Sequence, residues 1–211
     1  MSVKHSSIFF CCVGPTGSGK NTVINRILAD GPKNLKELTT MTSREMRDNE
    51  QEGVDYFFIS KDDFEDKINK SYFFEYEKVH NNYYGTPLEQ ITNAQQNGYD
   101  LIFDIDINGA LKFKKQYPTD TVIIFIVPPS KDELISRINS RSILSLDEVE
   151  TRLNTAKKEY QIFLDKIDCF DYFLTNVDVN ETFLKVRSIT YAERNRISRL
   201  YKEQIECICQ I

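Results

Sequence analysis

The chain has 211 residues, of which 40% are hydrophobic and 28% charged, an ordinary globular balance with length for one sizeable core and small insertions. Its formal net charge of −5 argues against a nucleic-acid binder that works by bulk positive charge, though not against a site that is basic locally. The longest apolar runs, Ile8–Val13 and Val122–Val127, are too short to cross a bilayer, so no membrane partner is expected. The first ten residues lack the charged, apolar and cleavage regions of a secretory signal, and a cytoplasmic location is expected.

The cysteines are Cys11, Cys12, Cys169, Cys207 and Cys209. An odd number without a secretory context argues against a disulfide framework. Cys11 and Cys12 stand in an apolar run and read as small core residues. Cys207 and Cys209 form a C-x-C pair, but no second Cys or His cluster accompanies them to complete a metal site. His5 and His80 show no partner pattern for chemistry.

In chain order, Ile8–Val13 reads as a buried strand that ends in a Gly-rich turn. Asn21–Ala29 carries Val23, Ile24, Ile27 and Leu28 at helical spacing, and Asp30-Gly31-Pro32 ends that helix. Residues 40–86 break the rhythm. They are rich in aromatics, with short strand signals at Tyr56–Ile59 and Tyr72–Val79 and a turn at Asn81-Asn82, and predict a small mixed insertion. Leu101–Asp106 and Val122–Val127 read as two further buried strands. Lys131–Ser140 is expected to be a helix with Ser130 as its N-cap and Glu133 completing a capping box. A second, shorter insertion is expected over residues 141–147. Asp147–Phe163 reads as a longer helix, apolar at Val149, Leu153, Ala156 and Tyr160. Tyr172–Thr175 reads as a last strand, and the chain is expected to be helical from Glu181 to its end. Strands alternating with helices predict an α/β fold with a parallel sheet flanked by helices.

Gly14-Pro15-Thr16-Gly17-Ser18-Gly19-Lys20 follows the first strand and opens the first helix, which is the G-x-x-x-x-G-K pattern in the context it requires. The glycines let backbone N–H groups turn inward around phosphate oxygens, and the helix N-terminus adds positive potential at the same point. Lys20 supplies a mobile charge for the β- and γ-phosphates. A Gly-rich turn with an incidental Lys is the bland alternative, and the ordered run of strand, loop, Lys and helix disfavours it. The Ser or Thr that normally follows the Lys and helps hold Mg²⁺ is replaced by Asn21, and Thr22 comes one position late. Asn21 can reach the metal shell through its carbonyl oxygen, or the ion is held by water and phosphate alone.

The segment Thr40–Thr86 carries a second set of signals. It contains Thr40-Met41-Thr42-Ser43-Arg44-Glu45-Met46-Arg47, Glu50, Gly53, Asp55-Tyr56, Phe73-Phe74-Glu75-Tyr76 and Asn82-Tyr83-Tyr84-Gly85-Thr86, and is followed by L-I-F-D-I-D-I-N-G-A over Leu101–Ala110. In this order and spacing the set resembles guanylate kinases, from about Ile8 to the C-terminal helix. The terminal Ala192-Glu193-Arg194-Asn195-Arg196-Ile197-Ser198-Arg199 resembles the tail of bacterial members. The resemblance implies a P-loop NTPase fold with a core over 1–39 and 87–211, a small mixed α/β GMP-binding insertion over 40–86 and a short lid at about 139–150. It implies transfer of the γ-phosphate of ATP, with Mg²⁺, to GMP and dGMP.

GMP presents a dianionic phosphate and a base edge with two donors, N1–H and N2–H₂. A carboxylate accepts from both, the role implied for Glu75, and AMP presents the wrong pattern. Thr86 resembles the hydroxyl that donates to guanine O6, and Thr40 a second hydroxyl near the base. Arg44 and Arg47 lie three apart and can fork onto the acceptor phosphate, with Tyr56 and Tyr84 as phenol donors and Glu50 in the same pocket. Asp104 and Asp106 alternate with Ile105 and are expected to face one side. The resemblance sets Asp106 toward the guanine and Asp104 with the arginine and the metal-water shell. Taken singly, Glu75 reads as a solvated strand residue, Tyr56 as a core aromatic, Arg44 and Arg47 as surface charges, and Thr40 and Thr86 as turn residues. Those readings together require unrelated accidents at family spacing. Met46 departs from the family, which usually has Pro before the second Arg.

Arg137 and Arg141 are four apart and share a helix face, and Arg152 follows the short insertion. The resemblance assigns all three to the ATP phosphates, with a solvated helix face as the alternative. Ser142 and Leu144 depart from the family's lid. Asn176, after the last strand, resembles the residue that borders the adenine. Phosphoryl transfer works by positioning and preset charge, so Lys20, Arg44, Arg137, Arg141 and Arg152 are the expected catalytic charges. A non-catalytic module on the same fold and a P-loop kinase for another small phosphate are the rival readings. The first typically lacks the phosphate-binding residues retained here, and Glu75 and Thr86 argue against the second. Apolar Ile197, Leu200, Tyr201, Ile205 and Ile208 near the end are expected to cover the core, leaving a monomer, or else to pair two subunits.

Overall fold

The computed structural model describes residues 6–48, 50–79, 81–141, 146–201, 206 and 209. Phe9–Val13 forms β1, with all five residues buried because both faces of the strand are covered. Phe9, Cys11 and Val13 enter a core with Ile91, Ala94, Phe103, Phe113 and Phe125. Phe10 and Cys12 enter a second core with Val23, Ile27, Ile126, Phe183 and Val186. A strand buried on both faces reads as an unbroken apolar run rather than an alternating one. β7 (Asp100–Asp104) and β8 (Thr121–Val127) flank β1, and β2 (Leu35–Glu37) and β9 (Tyr172–Thr175) complete a five-stranded sheet of order β2-β7-β1-β8-β9. Every neighbouring pair in it is parallel. α1 (Lys20–Asp30) and α7 (Val179–Arg194) cover one face, and α3 (Leu88–Asn97), α4 (Ile107–Gln116) and α6 (Leu146–Asp165) the other. α5 (Lys131–Arg141) packs on α6 through Leu134, Ile138 and Ala156. This is the expected parallel sheet flanked by helices.

β3 (Met41–Thr42), β4 (Phe57–Phe58), β5 (Phe73–Val79) and β6 (Asn82–Pro87) form a second sheet of order β4-β3-β6-β5. It is mixed: β3 runs parallel to β4 and antiparallel to β6. α2 (Lys61–Asn69) lies on it through Phe64, whose ring stacks on Phe73 at 4.3 Å and on Tyr83 at 5.2 Å. Phe74 of β5 packs against Phe113 of α4 with ring centroids 4.3 Å apart, which seats the second sheet on the first. The chain passes between the sheets after β2 and again where β6 meets α3. At this point the Thr39 N–H donates to Gln90 Oε1 at 3.0 Å and Gln90 Nε2 donates to the Thr39 carbonyl at 2.6 Å.

Several elements depart from the sequence expectation. β2, β3, β6, α2, α3 and α4 are additional. α2 buries only Phe64, so its pattern is nearly all polar, and β6 contains Gly85 and Pro87. α4 opens on Asn108-Gly109, a turn-like pair, and is started by the Asp106 carboxylate, which accepts from Asn108 N at 2.8 Å and Gly109 N at 3.0 Å. Asp106 is therefore a helix cap beyond the strand, which ends at Asp104. The hairpin turn comes earlier than Asn81-Asn82, because Asn82 already pairs with Val79. Ser130 accepts from Glu133 N at 3.1 Å as expected. The Glu133 carboxylate instead accepts from Arg137 Nε at 2.7 Å, so the capping box is half formed.

α7 stops at Arg194 instead of running unbroken to the end, although Glu206 and Cys209 are again helical. Arg199 is buried and donates to Glu193 Oε2 from Nε at 3.1 Å and Nη2 at 2.8 Å, and to the Thr119 carbonyl from Nη1. These bonds require the chain to fold back over the helix end. Burial alone would raise the Glu193 carboxyl, but the Tyr172 hydroxyl and Arg199 outweigh it and hold it low. Ile197, expected to cover the core, is 79% exposed. Ile205, Cys207 and Ile208 lie outside the described residues, as do His5, His80, Ser142 and Leu144. Among the described residues, no helix is long and apolar enough to cross a membrane.

Candidate active site

The loop from β1 to α1 turns on glycines. Gly14 and Gly19 have φ of 135° and 91°, which L side chains rarely adopt. A Cβ at Gly14 would strike the Ile126 carbonyl oxygen, and one at Gly19 the Asn176 amide, so the loop lies tight against β8 and the end of β9. Ser18 N–H donates back to the Pro15 carbonyl at 3.0 Å, while Ser18 and Gly17 are buried and Thr16, Asn21 and Thr22 are exposed. No side chain caps α1, which leaves its first N–H groups and the positive end of its dipole for an anion. Lys20 is buried. Its ammonium donates to the Gly14 carbonyl at 2.5 Å and the Pro15 carbonyl at 3.3 Å, with Asp104 Oδ1 at 3.6 Å.

Asn176 is the residue that the resemblance sets beside the adenine. Its side chain is engaged at both ends in a site 1% exposed. Nδ2 donates to the Ser18 carbonyl at 2.7 Å, and Oδ1 accepts from Thr182 Oγ1 at 2.8 Å. The amide ties the phosphate loop to the end of β9. Asn176→Ala is expected to lower stability by about 1–3 kcal/mol, the range for removing one partner of buried hydrogen bonds, and to raise the KM for ATP by freeing the loop. Thermal unfolding and steady-state kinetics check this; an unchanged midpoint and an unchanged KM would remove the clasp from the account.

A cavity of about 450 Å³ opens between the phosphate loop and the second sheet, within the range of roughly 300–1,000 Å³ for small-molecule sites. Its wall brings Gly14, Thr16 and Lys20 together with Thr40, Arg44, Arg47, Glu50, Tyr56, Glu75, Tyr84, Asp104 and Asp106. Arg44 Nη2 donates to Glu50 Oε1 at 2.7 Å, and the other Glu50 oxygen accepts from Arg47 N at 3.0 Å. The Arg44 bond holds the Glu50 carboxyl below its usual range against the pull of burial. Glu50, expected among the GMP residues, is thus committed to the arginines and sets where they stand. The Arg47 side chain is 70% exposed and reaches the cavity from its rim. The Tyr56 and Tyr84 rings meet edge to face at 5.9 Å, with the Arg44 guanidinium 5.6 Å from the Tyr56 ring centre. Burial, with Asp104 adding, raises the Tyr56 phenol and keeps it a hydrogen-bond donor.

The Glu75 side chain is 8% exposed, with Oε2 3.8 Å from Lys112 Nζ. Its Oε1 accepts from Thr86 Oγ1 at 2.9 Å. Burial raises its carboxyl, Thr86 and Lys112 oppose that rise, and Asp106 and Glu77 add to it. Thr86 is fully buried, and its single hydroxyl proton is given to Glu75, so it aims the carboxylate instead of presenting a donor to the cavity.

The lid arginines are placed less uniformly. Arg137 Nε donates to Glu133, four residues back on the same helix, while Nη2 donates to the Asn176 carbonyl at 3.1 Å. That bond puts its guanidinium at the back of the phosphate loop, outside the cavity wall. Arg152 is half-buried on α6, also outside that wall. The Arg141 side chain lies outside the described residues. Glu159 was missed by sequence reasoning: it lines the cavity from α6 and stands seven residues, about two helical turns, from Arg152 on the same face. The available signal was its place three after Ala156, which is buried. Among the described residues, no group of three His, Cys, Asp or Glu side chains is arranged to hold a metal ion.

A phosphate-gripping turn at the carboxyl ends of parallel strands, opposite a pocket of arginines and phenols, defines a P-loop kinase of small phosphorylated molecules. The family model for guanylate kinase matches residues 9–193. The guanylate kinase of Oceanobacillus iheyensis is 37% identical over 207 residues, covering 97% of this chain and 98% of that protein. The guanylate kinase of Caldanaerobacter subterraneus subsp. tengcongensis is 37% identical over 199 residues, or 94% of each chain. The crystal structure of guanylate kinase from Anaplasma phagocytophilum superposes with a TM-score of 0.75 at 26% identity, covering 96% of this chain and 94% of that one. The chain belongs to the guanylate kinase family. It is a phosphotransferase of the nucleoside monophosphate kinase kind.

Proposed function

We propose that the chain moves the γ-phosphate of ATP onto GMP, giving ADP and GDP, and that dGMP is also an acceptor. The observation that carries this reading is the single cavity with the phosphate loop on one wall and Arg44, Arg47, Tyr56, Glu75 and Tyr84 on the other. The loop N–H groups and Lys20 hold the ATP phosphates. Arg44, Arg47, Tyr56 and Tyr84 hold the GMP phosphate, so that one of its oxygens attacks the γ-phosphorus in line. Arg137, Arg141 and Arg152 approach from α5 and α6 to neutralise charge on the donor side. Residues 40–86 act as the acceptor-binding unit, and residues 139–150 as a lid.

The site fits an ion carried on the ATP phosphates, since Mg²⁺ commonly keeps several waters beside phosphate ligands. Mg²⁺ so bound would supply charge neutralisation, and the exposed Asn21 and the partly exposed Asp104 carboxylate would be the residues to hold its waters.

Glu75 accepts from guanine N1–H and N2–H₂, held in place by Thr86, with Thr40 and Asp106 beside the base. Glu75→Gln places an amide N–H against guanine donors and is expected to lower kcat/KM for GMP by about 10–10²-fold, the size of hydrogen bonds to a charged group. A loss under threefold would remove Glu75 from base recognition. The reaction itself is tested by coupled ADP release with GMP, dGMP, AMP, CMP and UMP. Turnover confined to the guanine acceptors is the expected result. No turnover with any acceptor points to a binding module, and turnover only with another base to a different kinase.

A further inference from the structure

Glu159 takes no part in the roles above, yet it reaches the transfer cavity from α6. Its Oε2 is buried without a hydrogen-bond partner, the one carboxylate oxygen so placed among the described residues. Such an atom is costly unless something comes to meet it. The charged groups that act on it are Lys20 at the start of α1, Asp104 at the end of β7 and Asp106 at the cap of α4. Across the cavity the second sheet presents Arg44, Arg47, Glu50, Glu75 and Glu77. Lys20 already serves two loop carbonyls and Asp104.

We infer that Glu159 is a further binding group of the transfer site and that, as the neutral acid, it donates a hydrogen bond to a phosphate oxygen where donor and acceptor meet. The inference rests on the kinase reading, which fills this cavity with phosphates. An ionised Glu159 would add a third negative charge beside Asp104 and Asp106 and would repel both substrates. The protonated carboxyl offers instead the one thing a phosphate oxygen accepts. Burial is the largest influence on this group; Lys20 opposes it, Asp104 and Asp106 reinforce it, and the carboxyl is raised to about 7. Incoming phosphate charge pushes it further up. The proton stays on Glu159 throughout, and no bond is made or broken there.

The test compares the wild type with Glu159→Gln and Glu159→Leu, in kcat and KM from about pH 5.5 to 9. Gln keeps a neutral N–H donor in the same shape, and Leu keeps the volume without the donor. Gln is expected to hold kcat within about threefold and to lose the fall in kcat/KM that the wild type shows as Glu159 of the free enzyme ionises above about pH 7. Leu is expected to lose about ten- to a hundredfold, the size of a hydrogen bond to a charged group. A Gln variant as impaired as Leu would show that an ionised acceptor is needed, and a Leu variant matching the wild type would show no contact at all; either result overturns the inference. Calorimetry of GMP and ADP binding in two buffers of different ionisation enthalpy gives a readout free of turnover. Near pH 7.5 the wild type is expected to take up more proton than Glu159→Gln; equal uptake also overturns the inference. Wild-type turnover of GMP in the same series reports on the kinase reading separately.

Discussion

Lys20→Ala is expected to lose about 10²–10³-fold in kcat, the usual consequence of removing one preset charge from a transfer site, while the fold stays intact. The ammonium is the one cation held inside the loop itself, between the Gly14 and Pro15 carbonyls and Asp104. Without it the loop itself offers the charge that builds on the γ-phosphate oxygens nothing but backbone N–H groups. The loop's shape does not depend on Lys20, because Asn176 holds the Ser18 carbonyl and the loop glycines pack on Ile126 and Asn176. The unfolding midpoint is therefore expected near that of the wild type. Lys20→Arg is not expected to restore activity, since a planar fork does not fit where a point charge sits between two carbonyls. A kcat for Lys20→Ala within threefold of the wild type would contradict the assignment.

Arg44→Ala is expected to cost about 10²–10³-fold in kcat/KM for GMP, on the same scale for a lost preset charge, and it acts in two ways. The acceptor phosphate loses its inner guanidinium, and Glu50, with a side chain 12% exposed, loses its ion-pair partner. The second effect has a pH signature. In the wild type Arg44 holds Glu50 below its unfolded range, against burial. That contribution is present above the unfolded value of about 4.3 and is lost as pH falls through the lower folded value. In Arg44→Ala burial acts with only the Arg47 contacts to oppose it, so Glu50 moves up and the variant is relieved, not weakened, when acid protonates it. The gap between the two unfolding midpoints is expected to be widest near neutrality and to narrow on acidification to about pH 4. A gap that stays constant with pH would show that the Arg44–Glu50 pair contributes nothing to stability. Arg44→Lys keeps the charge but not the fork, and is expected to fall between wild type and Ala in both measurements.

The parts of the fold legible in the sequence are those where burial is two-sided. β1 and β8 are covered on both faces and stand out as unbroken apolar runs. The glycine turn is legible because its backbone demands are local. What stayed hidden is what tertiary contacts decide. α2 is anchored by Phe64 alone, and α4 starts on an Asn-Gly pair that reads as a turn until Asp106 caps it. The acceptor residues were findable as a set, and the cavity brings most of them together. Their division of labour was not, because it depends on which atoms meet. Glu50 serves Arg44, Thr86 serves Glu75, and Asn176 serves the loop. Glu159, in a run of charged residues on a helix, has the sequence appearance of a solvated position; only the packing of α6 turns it inward.

The paired bonds between Gln90 and Thr39 stand where the chain enters and leaves the second sheet. They fix the chain at that junction, and Phe74 against Phe113 is a second tie between the sheets. Any swing of the acceptor arm then has a lever that lengthens along β6 from Pro87 toward Asn82. Thr86 and its partner Glu75 lie close to the junction, while Tyr84 lies two residues, about 7 Å, farther out. On the proposed reading the base would be met where displacement is small, and the phosphate end would travel the longer arc.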